Sequence, residues 1–327
     1  MSRQYSTTFL TALMFLVVNV SAVLLSTPFV SNEVASYQAF EDPDSPFNPL
    51  IYIVAIVVFS VLIILAIRFF KETVIKYLIL FSIFTALMYV FLLPGIYGVS
   101  LLTGFPPYTL GAFAVGSLIA AIAAVFLTSL LNSNPEWYIV DGIGLLVASG
   151  VTAILGISLS ILPILILLIG LAIYDYIAVY KTKHMLTLAD VVTRQKVPVM
   201  LVVPANKDYS FKTSKGFSHE KKKVKQGKRD ALFIGLGDVI IPGSLVVSSF
   251  VFLPSQPFIF NITANLAVAM AVFLGTMCGF AVLTHMVSKG KAHAGLPLLN
   301  GGAILFFAIS YLLLYRNFTF GIGLLGG

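Results

Sequence analysis

Apolar runs close to the length of a bilayer crossing follow one another along the chain, parted by short polar breaks. There are nine, over about Phe9–Leu25, Leu50–Phe69, Val74–Leu93, Leu110–Leu131, Trp137–Ser158, Leu159–Tyr180, Ala231–Leu253, Ile262–Val287 and Leu298–Leu314. A helix needs about 20 residues to cross a hydrocarbon core of about 30 Å, and each run is near that length. Turn-forming residues sit in the breaks: Pro94-Gly95, Phe105-Pro106-Pro107, Asn132-Ser133-Asn134-Pro135, and Pro254 with Pro257. The first run follows Arg3 and precedes Ser26-Thr27-Pro28. It is long and its cleavage site poor, so a retained helix is expected rather than a signal peptide. The pattern predicts an all-α polytopic membrane protein with nine transmembrane helices.

One polar stretch is long, Lys181–Asp230, and it divides the chain into 1–180 (helices one to six), the basic loop 181–230, and 231–327 (helices seven to nine). Within the loop, Lys207–Arg229 is basic and poor in apolar residues and is expected to be mobile. Val197–Pro204 reads as a short strand bounded by prolines, either a surface strand or interfacial anchor, or an exposed edge that a substrate strand extends. Composition supports the membrane reading: 59% of residues are hydrophobic, 10% are charged, and the mean hydropathy is +1.00, whereas soluble domains carry about 25% charge. The formal charge is +7. With Arg3 inside and nine crossings, 19 of the 20 Lys and Arg residues fall on one side, leaving only Arg316 opposite. The positive-inside rule therefore predicts a cytoplasmic amino terminus, an extracytoplasmic carboxyl terminus, residence in the cell membrane, and no nucleic-acid partner. A lone cysteine, Cys278, permits neither an internal disulfide nor a CxxC metal site. No cofactor and no metal are expected.

Ionisable residues inside the runs are few: Asp141, Asp175, Asp238 and His285. A charge in hydrocarbon is expensive, which makes each a candidate functional residue. Asp141 lies near the inside start of its run and reads as a helix-start or interfacial residue; His285 is close to Lys289 and reads as interfacial or hydrogen-bonded within the bundle; Asp230 suits an N-cap. Asp175 lies six residues before Lys181, roughly 9 Å from the inside boundary at the helical rise, and Asp238 lies eight residues after Asp230, about 12 Å from it. On consecutive crossings of opposite direction, the two carboxylates can meet. Two facing carboxyls at low dielectric share a proton and titrate as a unit, the state in which one activates water while the other protonates a scissile carbonyl. A proton- or cation-coupled transporter or channel would use the same pair, and the residues alone leave it open. No HExxH occurs, His219-Glu220 is followed by lysines, there is no GxSxG, and Ser158 has no evident histidine partner, so zinc and serine protease chemistry is not expected.

Tyr174-Asp175 in the sixth run, Gly235-Leu236-Gly237-Asp238 in the seventh, and Ala294-Gly295-Leu296-Pro297 before the ninth resemble the motifs of the presenilin and signal peptide peptidase family, the GxGD intramembrane aspartyl proteases. The family pattern of the third motif is Pro-Ala-Leu-Pro; Leu296 and Pro297 match it, and the first two positions differ. An inside basic loop between the aspartate-bearing runs looks like presenilin rather than signal peptide peptidase, and the short loop and amino terminus look like a compact archaeal homologue. The resemblance implies an aspartic endopeptidase that hydrolyses peptide bonds within transmembrane helices, with Asp175 and Asp238 catalytic and Tyr174, Gly235, Leu236, Gly237, Gly295, Leu296 and Pro297 shaping the site. It implies single-span or signal-peptide-like substrates in membrane lipid, and substrate-strand pairing near the seventh run, with Val197–Val203 as the candidate. Prepilin-type peptidases also carry GxGD, but aspartate spacing and cytoplasmic elements fit them less well. Oligomeric state, a homo-oligomer included, stays open.

Overall fold

The computed structural model describes residues 2–30, 38–69, 72–104, 106–107, 109–182, 196–205, 209–212, 231–260, 262–288 and 293–322. Its elements in chain order are α1 (Ser2–Val30), α2 (Asn48–Phe69), α3 (Glu72–Thr103), α4 (Leu110–Ser133), α5 (Trp137–Ser158), α6 (Ile161–Ile177), β1 (Met200–Pro204), β2 (Ala231–Gly235), α7 (Leu236–Phe252), β3 (Pro257–Ile259), β4 (Ile262–Thr263), α8 (Ala264–Ser288) and α9 (Leu296–Tyr315). Among the described residues, seven helices are long and apolar enough to cross a membrane, and two shorter apolar helices, Asn48–Ile63 and Leu236–Phe252, lie in the two remaining apolar runs. The nine runs are thus recovered as helices, but the fold is not purely helical: β1 pairs with β2 and β3 with β4 as small antiparallel sheets.

Two boundaries differ for physical reasons. Pro94-Gly95 does not end α3, which runs on to Thr103. Transmembrane helices tolerate an internal proline when neighbours hold the helix, and here Gly95 meets Gly116 of α4, where a Cβ would stand 2.8 Å from the Gly116 carbonyl oxygen. The seventh run is not helical throughout. Ala231–Gly235 is strand β2, in register Met200↔Gly235 to Pro204↔Ala231 with β1, and the helix starts only at Leu236. Helical rise therefore does not measure the depth of Asp238, and the 12 Å reckoned from it does not stand. β1 is also no surface strand: Leu201, Val202 and Val203 are buried.

The chain divides into two compact units. The first comprises Met1–Val17, Ile63–Val151 and Ala189–Leu236. Its α4 buries Ala112, Gly116, Ala120 and Ala124 at every fourth position, a small-residue stripe that lets α3 approach closely. Its core joins Leu80, Ile83 and Leu87 of α3, Leu131 of α4 and Val140 and Ile143 of α5 to Val202, Ala231 and Phe211. Burial of Phe211 fixes a residue in the stretch expected to be mobile; most of Lys207–Arg229, together with His219, Glu220 and the Asp230 N-cap, lies outside the described residues. The second unit comprises Val18–Leu62, Thr152–Leu188 and Gly237–Gly327. There α8 and α9 touch through backbone, since a Cβ on Gly275 or Gly302 would collide with the other's carbonyl. Asn300 of α9, fully buried, donates its amide to the Leu168 carbonyl of α6 at 2.8 Å.

Candidate active site

Three helix ends of the second unit converge on one dipeptide, Gly295-Leu296. The first belongs to α6. Asp175 lies in its last turn, buried, with half-buried Tyr174 beside it in sequence. The helix then widens into a π-helical turn over Ala178–Thr182, a distortion that recurs at functional sites. The second is the start of α9. Pro297 stands in its first turn, where the missing N–H costs nothing. The first backbone N–H groups of a helix have no intrahelical acceptor, and in hydrocarbon an unsatisfied donor costs several kcal/mol. Asp175 provides the acceptor: the Leu296 N–H donates to its Oδ2 at 3.1 Å, and the Gly295 N–H is also directed at this carboxylate.

The third is the start of α7. β2 closes at Gly235, Leu236 opens the helix, and Asp238 occupies its first turn. The Asp238 carboxylate lies flat against Gly295: a Cβ built there would be 3.3 Å from both Oδ1 and Oδ2. Asp175 and Asp238 are near enough for a direct electrostatic interaction. Gly237 is exposed, and a Cβ on it would meet nothing within 4 Å. The structure thus brings Asp175, Asp238, Gly295 and Leu296 together, with Tyr174, Gly237 and Pro297 next to them in the chain. Gly235 serves the strand, and the Leu236 N–H donates to the Val199 carbonyl at 3.1 Å. A pair of interacting carboxyls can share a proton and act together as general acid and base. Among the described residues no group of three His, Cys, Asp or Glu could hold a metal.

Asp141 lies near the start of α5, as expected, but its side chain is enclosed by protein. It is buried in the first unit, 3% exposed, and its Oδ1 accepts the Val202 N–H of β1 at 2.7 Å. It acts as an anchor for the strand that pairs with β2. By register, Val199 bonds Leu236 toward β2, so the even-numbered residues of β1 direct their amides away from β2. Asp141 takes one of these, which removes β1 as an open edge at Val202. Asn300 is a further buried polar group, in the second unit, and its one sequence signal is an amide four residues after Leu296 in an apolar run. His285 is exposed in the last turn of α8.

The family model described as signal-peptide peptidase, presenilin aspartyl protease matches residues 12–315. Two solved structures are similar over nearly the whole chain, both of a presenilin family intramembrane aspartate protease. One, in space group C222, is 33% identical with a TM-score of 0.62, covering 94% of this chain and 99% of that chain. The other, in space group P2, is 34% identical with a TM-score of 0.60, covering 92% of this chain and 96% of that one. A search of curated proteins found no match. Membrane-length apolar helices, a family model matched over residues 12–315 and likeness to solved structures along nearly the whole chain lead to one assignment. The chain belongs to the signal-peptide peptidase and presenilin family of intramembrane aspartyl proteases, and is a multi-pass membrane peptidase.

Proposed function

We propose that Asp175 and Asp238 are the catalytic pair of an endopeptidase that cleaves peptide bonds within transmembrane helices of single-span or signal-peptide-like substrates. The observation that carries this reading is the shared seat of the two carboxyls on Gly295-Leu296. One carboxyl takes a proton from water as the water oxygen attacks the scissile carbonyl carbon. The other gives its proton to the carbonyl oxygen, and the C–N bond then breaks with a proton passing to the amine. Gly237, bare and exposed, leaves room for an unwound substrate beside Asp238. Nine crossings, with the amino terminus cytoplasmic and the carboxyl terminus extracytoplasmic, accord with the distribution of Lys and Arg. In this arrangement 1–180 and 231–327 each bring one aspartate, and 181–230 is the cytoplasmic link.

A transporter using the same carboxyls is not favoured, since the family is one of peptidases. The test is incubation of the full-length protein, in detergent or lipid, with a single-span peptide and mass spectrometry of the products. Asp175→Asn and Asp238→Asn should each abolish cleavage while the thermal unfolding profile is kept. Cleavage at the original rate by Asp238→Ala would overturn the assignment, as would ion flux in vesicles without any peptide product.

A further inference from the structure

The first unit contains a cavity that the protease reading leaves unused. Its volume is about 140 Å³, and its lining comes from Lys76 and Leu80 of α3, Leu131 and Asn132 at the end of α4, Pro135, and Lys196-Val197 ahead of β1. This is space for more than a single water. Lys76 lies about a turn into α3 and Asn132 in the last turn of α4, so two lysines and an amide gather beside the ends of two apolar helices. Leu80 is a turn further into α3 and, with Leu131 and Val197, belongs to the apolar core. The lining is therefore cationic and amide-bearing on one side and apolar on the other.

Lys196 is held in place by several contacts. Its backbone is left-handed, with φ 57°, a conformation uncommon outside glycine. Its ammonium lies 4.5 Å from the centre of the Phe211 ring, a cation–π arrangement. Burial pulls its pKa down to about 8, and the nearby Glu136 opposes that. Among the described residues, Lys76 from α3 shares the cavity lining with it and Glu136 from the turn before α5 acts on its charge; Glu136 also accepts the Ser210 hydroxyl at 2.8 Å. Among the described residues the charged side chains of the lining are both lysines, and a basic lining of this kind suits an anion.

We propose that this cavity binds a phosphate group, with Lys76, Lys196 and Asn132 as its donors, and that its place at helix ends beside apolar core suits the phosphodiester of an anionic phospholipid. Basic pockets between helices at a membrane face bind lipid headgroups by this chemistry.

The test uses the full-length protein in nanodiscs of phosphatidylcholine with phosphatidylglycerol, native mass spectrometry of retained lipid, and millimolar inorganic phosphate as competitor. Phosphatidylglycerol should stay on the unmodified protein in preference to phosphatidylcholine. The Lys76→Gln/Lys196→Gln protein should hold it roughly thirtyfold more weakly, the Lys76→Arg/Lys196→Arg protein should retain it, and Lys212→Gln, an exposed lysine outside the cavity, should behave as unmodified. Retention should weaken as pH rises past about 8, where the Lys196 ammonium is lost. Phosphate binding that needs both lysines, with no preference for phosphatidylglycerol, would support the phosphate site and make free phosphate its source. Equal lipid retention and equal phosphate response in the unmodified and double-glutamine proteins would overturn the proposal. An equal loss in Lys212→Gln would overturn it too, by exposing diffuse charge.

Discussion

Replacing Gly295 by alanine tests the site at its tightest point. In the family motif an alanine stands at this position, yet here the Asp238 carboxylate lies in tight contact with where the alanine methyl would go. The built Cβ is 3.3 Å from both oxygens and 3.4 Å from Cγ, so the carboxylate must give by a few tenths of an ångström. A misplacement of 1 Å costs about a hundredfold in rate; a few tenths should cost no more than about fivefold by the same scaling. Backbone strain adds nothing, because Gly295 has φ −81° and ψ −49°, which alanine adopts freely. Loss of glycine freedom in the unfolded chain should even stabilise by about 0.4–1 kcal/mol. Gly295→Val is the contrast: its γ-carbons reach about 1.5 Å further and meet the carboxylate, so activity should fall by about a hundredfold or more. Initial rates on a single-span peptide, with kcat and KM separated, and thermal unfolding of both variants are the measurements. If Gly295→Ala is as inactive as Asp238→Ala, or Gly295→Val cleaves normally, the carboxylate does not work from this seat.

Asp141 should separate from the other buried carboxylates by its response to isosteric change. Asp141→Asn keeps an acceptor for the Val202 N–H and should preserve both cleavage and slow amide exchange at Val202, whereas Asp141→Leu strands that buried donor, costs about 1–3 kcal/mol, and exposes the β1 amides to exchange. Gly302→Val should force α8 and α9 apart at the Gly275 carbonyl and lower stability by about 1–3 kcal/mol, read from denaturant unfolding in mild detergent; an unchanged midpoint would deny the close backbone contact.

The helices were legible because a helix of membrane length needs a long apolar run with few charges; all nine runs of the sequence contain helix. The two aspartates were legible for the opposite reason, being charges where charge is costly. Strand pairing was not legible. Ala231-Leu232-Phe233-Ile234-Gly235 is apolar and continuous with a helix, and only a partner some thirty residues upstream makes it strand. Val197–Pro204 gave that partner away through its flanking prolines and β-branched residues, though not its burial or its register. Pro94-Gly95 misled because a soluble helix would stop there, while in a bundle the neighbouring Gly116 turns the same pair into a contact point. The strand partner of Asp141 was not legible, because its position near the start of a run says nothing of the strand that comes to meet it.

One physical bargain explains why the third motif sits where it does. A buried helix start in hydrocarbon has donors without acceptors, and a buried carboxylate has lone pairs without donors; either alone is costly. Joining the Leu296 amide to Asp175 offsets both costs and orients Asp175 at the same time. Proline at 297 starts the helix without adding another amide in need of a partner. Asp238 meets the same dipeptide differently, through the bare Cα of Gly295, and no hydrogen bond between described residues reaches its carboxyl oxygens. Under the proposed mechanism this inequality has a use. Asp175 is engaged by backbone and held still, while Asp238, in the first turn of α7 beside exposed Gly237, keeps its oxygens available to water and substrate. An alanine at 295 would narrow that access by a methyl group, and for that reason the Gly295 series reads the division of labour between the two carboxyls as well as their geometry.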